Sequence, residues 1–172
     1  MQQWIVVVST DDLTEEGEVG PHGVGLCCTA AKVAKKMPLA YVCVPAGWSP
    51  RHNLFMGNGP VRRRLESFGV PSLQLITPII KEMEYNTNGE MQTFVEMLRL
   101  YPRRKGERIH ITLVVRWWHG PRARALLKAR LGREHGPEAT IRVVKVPSLD
   151  VLGMMKEPFA WTKNASNLLR SS

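Results

Sequence analysis

Short apolar runs alternate along the chain with longer stretches in which apolar positions recur every three or four residues. WIVVVS (residues 4–9), AYVCV (40–44), SLQLIT (72–77), RIHITLVV (108–115) and ATIRVVKV (139–146) are rich in β-branched side chains and predict five strands. GLCCTAAKVAKK (25–36), GPVRRRLESFG (59–69), NGEMQTFVEMLRLY (88–101) and PRARALLKARLG (121–132) have the period of amphipathic helices. Gly69 ends the second of these, and Pro121 suits the first position of the fourth. Residues 149–169 continue in a helical pattern with a break near Pro158. Alternating strands and helices imply right-handed crossovers and parallel pairing. Near-continuous apolar strands imply a sheet covered on both faces. The predicted fold is therefore α/β: a Rossmann-like three-layer sandwich, with a mostly parallel sheet of about five strands and helices on both faces. No linker or repeat divides the 172 residues, so residues 1–172 read as one domain with a helical tail at 149–172.

In open sheets of this kind, ligands bind outside the carboxyl ends of the strands. The loops expected there are residues 10–22, 46–58, 78–87 and 116–120. They gather Asp11, Asp12, His22, Gly47, His52, Asn53, Glu82, Glu84, Asn86, Thr87, Arg116 and His119 at one edge. The last loop raises a question of charge. Arg122 and Arg124 fall in the first turn of the fourth helix, where a cation opposes the backbone dipole at roughly 0.3–1 kcal/mol each. An anion held by the free N–H groups of that turn would reverse the penalty. Gly120 is expected to let the backbone turn sharply, and Arg122, with Arg116, to add charge-assisted bonds to a phosphate or carboxylate. Arg124 reads as solvent-facing, and the competing reading of Arg122 is a pair with a nearby acid such as Glu82 or Glu84. His119, just before the helix, is a candidate acid, base or ligand near neutral pH. Trp117 and Trp118 read as pocket wall or as packing over the sheet edge.

Thr87 and Glu90 have capping-box spacing, which leaves Glu82, Glu84 and Asn86 without a helical task. Glu84 is the preferred acid/base candidate of that loop, with Asn86 and Thr87 shaping it. Gly47, ending the second strand's motif, would admit a ligand. The paired Asp11 and Asp12 suit a metal or a ribose hydroxyl, with Asp11 the ligand-binding candidate, but with Glu15, Glu16 and Glu18 following, a solvated acidic loop is the preferred reading. HGVG (22–25) resembles a phosphate-cradling loop without the full dinucleotide spacing.

Charge and cysteine usage narrow the partners. A net charge of +9 favours an anionic ligand, either a phosphorylated small molecule or nucleic acid. The basic residues are scattered over the second helix, the turn at 103–108 and the fourth helix, which counts against a nucleic-acid face. Cys27, Cys28 and Cys43 match no zinc spacing and read as small core residues in a reducing compartment. No metal site is predicted. No apolar run suits a bilayer span or a signal peptide, so the expectation is a cytoplasmic chain without a membrane anchor.

Read in order, these blocks resemble the SanA/YdcF-like family, a widespread bacterial domain of largely unknown function. The resemblance runs from about Trp4 to Pro147. It rests on VPAG (44–47), FGVP (68–71), EMEYNTNGE (82–90) and VVRWWHGPRARAL (114–126). These match the family's Ser-Gly-Gly strand end, its GVP, its acidic loop into Asn-Thr-x-Glu-Asn and its His-x-x-Arg-Ala loop. The match keeps Glu84, Asn86, Thr87, His119, Arg122 and Ala123. Ala46 replaces one glycine, and NTNGE departs from the Asn-Thr-x-Glu-Asn order. The resemblance implies a Rossmann-like fold, a pocket at the strand ends and S-adenosylmethionine as a candidate ligand. The functional expectation is a small-molecule-binding α/β protein, acting as an enzyme on a nucleotide-like or phosphorylated ligand at the carboxyl edge of the sheet. The alternatives are a non-enzymatic nucleic-acid binder and a degenerate family member serving as a regulatory or interaction module.

Overall fold

The computed structural model describes residues 1–8, 13–14, 16–49, 54–56, 59–84, 86–101, 106–134, 139–147 and the single residues 155, 158 and 162. The side chains of 46–49, 54–56, 79–84 and 133–134 lie outside the described set, as does nearly all of the predicted tail helix. In chain order the elements are β1 (Gln2–Val7), α1 (Pro21–Lys36), β2 (Tyr41–Cys43), β3 (Ala46–Ser49), β4 (Leu54–Met56), α2 (Pro60–Ser67), a 3-10 turn (Ser72–Gln74), β5 (Leu75–Ile76), β6 (Ile79–Glu84), α3 (Thr87–Leu100), β7 (Ile109–Arg116), α4 (Gly120–Glu134) and β8 (Ala139–Val146).

The main sheet has the order β5-β2-β1-β7-β8, and every neighbouring pair is parallel. All five predicted strands contribute to it, and the fold is the expected Rossmann-like three-layer sandwich. Alternation along β1 and β7 divides the core. Trp4, Val6, Val8, Ile111, Leu113 and Val115 pack against Met91, Phe94 and Leu98 of α3 and Ala123, Leu126 and Leu127 of α4. Ile5, Val7 and Val114 pack against Leu26, Cys27, Ala30 and Ala34 of α1 and Leu65 of α2. The period of two in the strands thus sends successive residues to opposite helical layers. Among the described residues no helix is long and apolar enough to cross a membrane.

Three expectations are corrected. First, the loops at 46–58 and 78–87 contain strands: β3, β4 and β6 form a second sheet of order β4-β3-β6. In it β3 pairs antiparallel with β4 and parallel with β6. Pro45 and Pro78 interrupt the ladders leaving β2 and β5, because proline has no N–H to donate, and pairing resumes beyond them. Second, α1 begins at Pro21, so HGVG lies in its first turns and is not a loop. Proline at the first helical position, after an extended Gly20, sets that start. Third, the predicted strand at 72–77 opens as a 3-10 turn and pairs only at Leu75–Ile76.

Candidate functional site at the carboxyl edge of the sheet

Strand order reverses between β1 and β7, since the chain builds β2 and β5 on one side of β1 and then β7 and β8 on the other. Such a reversal opens a crevice beyond the carboxyl ends of the two central strands. β7 ends there at Arg116, and a tight turn leads into α4: the His119 N–H donates to the Arg116 carbonyl at 3.0 Å. His119 takes the N-cap position, because its carbonyl accepts the first intrahelical bond, from the Ala123 N–H at 2.9 Å. Gly120 is then the first helical residue and Pro121 the second. Gly120 opens α4 without a left-handed backbone, for among the described residues the glycines with positive φ are Gly17, Gly69 and Gly106. Its duty is close approach. A Cβ there would stand 3.3 Å from Val143 Cγ1 of β8.

The first turn of α4 meets the first turn of α3 through Arg122. Its Nη2 donates to Thr87 Oγ1 at 3.2 Å and lies 3.5 Å from His119 Nδ1. Arg122 is 7 % exposed, whereas Arg124, two residues on and on the opposite side of the helix, is exposed. Arg116 is also buried, with its guanidinium carbon 5.6 Å from the centroid of the Trp118 ring. Two guanidinium groups therefore lie out of water beside the positive ends of two helices. Burial strips hydration from each of them, and the dipoles raise the local potential further.

The acidic loop is arranged differently from the capping-box reading. Asn86 is the N-cap of α3, its Oδ1 accepting from the Gly89 N–H at 3.0 Å. Asn86 therefore has the helical task, and Thr87, one residue inside the helix, turns its hydroxyl to Arg122. Glu90 is not a surface cap partner but is 2 % exposed. Sequence reasoning missed this, although the signal was present: Thr87, Glu90, Met91 and Phe94 are spaced i, i+3, i+4, i+7 and share one buried face.

The structure brings together Thr87, His119 and Arg122, with Arg116 and Trp118 adjoining through the turn. Glu84 ends β6 and Gly47 lies in β3 opposite Met56; the Glu84 side chain and all of Asp11 are outside the described residues. A cavity of about 170 Å³ lined by Gln92, Val95, Glu96, Arg99 and Arg130 opens between α3 and α4, two turns along α4 from Arg122. Cys27 and Cys43 are buried core thiols, the first pushed up to about 12 by burial and the second raised by burial and then by the Glu90 charge. Among the described residues no group of three or more His, Cys, Asp or Glu side chains is placed to hold a metal ion. No family model, curated protein or solved structure matches the chain.

Proposed function

We propose that the chain binds a phosphorylated, nucleotide-like ligand at the carboxyl edge of its main sheet and acts on it as an enzyme. One observation carries this reading: the buried Arg122 guanidinium, joined to Thr87 and beside His119, stands where the first turns of α3 and α4 converge. Arg122 and the N-terminal turn of α4 hold the phosphate, and Arg116 adds charge from the end of β7. His119 exchanges the proton, since its imidazole is already within 3.5 Å of the group that would fix the anion. Glu84 is the second acid/base candidate, supported by its position at the end of β6, three residues before Thr87. The SanA/YdcF-like assignment belongs to the same proposal, supported by the order of the EMEYNT and HGPRA blocks, and it keeps S-adenosylmethionine among the ligands to test.

The nucleic-acid reading has less support. Arg62 bonds Glu66 at 3.1 Å and Arg63 bonds Glu18 at 2.9 Å, so two arginines of the basic run on α2 are engaged within the fold.

A thermal-shift screen with nucleotides, inorganic pyrophosphate, sugar phosphates and S-adenosylmethionine tests the proposal. A ligand at a hundred times its Kd stabilises the native state by about 2.7 kcal/mol. Arg122→Ala is expected to weaken binding of the ligand so found at least tenfold, the scale of one charged hydrogen bond. Arg122→Lys, which keeps the charge and loses the fork, should fall between. Unchanged affinity in Arg122→Ala removes the arginine from the site, and a screen without any shift overturns the proposal.

A further inference from the structure

Trp117 and Trp118 are neighbours with opposite fates: Trp118 is 7 % exposed and Trp117 is 41 % exposed. Trp117 is held firmly. Its backbone N–H donates to the Val146 carbonyl at 3.1 Å, extending the β7–β8 pairing beyond the Arg116–Val146 step. Its ring meets the Trp118 ring edge-on, at 87° and 5.8 Å between centroids. Trp118 is itself fixed by the Arg116 guanidinium on one side and by His119, 5.8 Å away, on another. An indole held through its backbone N–H and the Trp118 ring, yet still partly exposed, presents contact area with little further ordering to be lost on binding. Two ring contacts of 5.8 Å each connect it to His119, and His119 adjoins Arg122. The ring contacts thus join the Trp117 indole to the turn that carries His119 and leads into Arg122.

We infer that Trp117 is the stacking platform for the heteroaromatic base of a nucleotide whose phosphate is held at Arg122; this rests on the anion site proposed above. Stacking uses the π-face that every base has, so the platform selects nucleotides over simple phosphates and discriminates little among bases. Lys145, exposed on β8 one residue before the carbonyl that anchors Trp117, places a further cation at the rim.

Calorimetric titration of the intact protein with ADP, UDP and inorganic pyrophosphate tests the inference. The wild type is expected to bind both nucleotides at least tenfold more tightly than pyrophosphate. Trp117→Ala should remove about tenfold of nucleotide affinity and leave pyrophosphate unchanged, and Trp117→Phe should retain most of the preference. Pyrophosphate binding as tightly as the nucleotides, or a nucleotide-to-pyrophosphate ratio that Trp117→Ala does not alter, overturns the stacking role and leaves the anion site standing. Equal loss for all three ligands marks Trp117 as a structural residue and also overturns it. If none of the three binds the wild type, the inference and the proposed anion site fail together.

Discussion

A shift of one residue in a helix cap decides what Thr87 can do. Asn and Thr are both good N-caps, so NT followed by Glu90 is ambiguous in the sequence. The chain caps with Asn86, and the Thr87 hydroxyl becomes an acceptor for Arg122. Asn86→Ala should cost about 1 kcal/mol in urea denaturation and speed hydrogen exchange at the Gly89 amide. Thr87→Val should leave Gly89 protection as it is and remove a partner of the buried guanidinium, at roughly 1–3 kcal/mol. Protection at Gly89 that falls in Thr87→Val but not in Asn86→Ala would return the cap to Thr87. Burial separates the two first-turn arginines of α4 at this scale too. Arg124 meets solvent as expected, whereas Arg122 is turned inward by its place on the face of α4 that meets α3.

Elements are terminated by local chemistry that is mostly legible, and placed by contacts that are not. α2 ends in a Schellman motif: the Gly69 N–H bonds the Glu66 carbonyl, the Val70 N–H bonds the Leu65 carbonyl, and Leu65 and Val70 join the same buried cluster. Gly69 has φ +87° with nothing near its missing Cβ, so Gly69→Ala should cost only the left-handed penalty, roughly 1–2 kcal/mol. Gly120→Ala acts by another route, since its Cβ would press on Val143 Cγ1 and move the start of α4 away from β8. A loss of roughly 1–3 kcal/mol is expected, with weakened ligand binding because His119 and Arg122 ride on that turn. Denaturation midpoints and titration of the two variants separate the mechanisms: Gly69→Ala should leave binding intact. The small sheet escaped sequence reading because β3 and β4 are short and Pro45 and Pro78 read as strand stops; a stop in one ladder was the start of another.

At the scale of the molecule, the apolar layer beneath α1 is coupled to pH through a thiol. Burial pushes Cys27 from its ordinary 9.0 up to about 12, with Arg64 offsetting part of the effect. The folded chain keeps this proton where the unfolded chain releases it. The associated stability is therefore complete below pH 9 and is lost as pH rises toward about 12. Cys27→Ala should show a shallower fall in urea midpoint between pH 9 and pH 11 than the wild type. Cys43, raised in the same direction, keeps some slope in both. An identical slope in variant and wild type would mean that the Cys27 thiol ionises as readily folded as unfolded.

The sequence by itself determined the layers of this protein, because hydrophobic period is a local property. A period of two in a run of branched residues, and of three to four in its neighbours, specifies which faces must leave water wherever they are placed. Five parallel strands covered on both sides follow from that pattern alone. Strand order, the reversal between β1 and β7, and the second sheet belong to tertiary structure, since they depend on which apolar faces meet across long separations in the chain. The candidate site is of that second kind: Thr87 and Arg122 are thirty-five residues apart and meet only because α3 and α4 pack on the same side of the sheet.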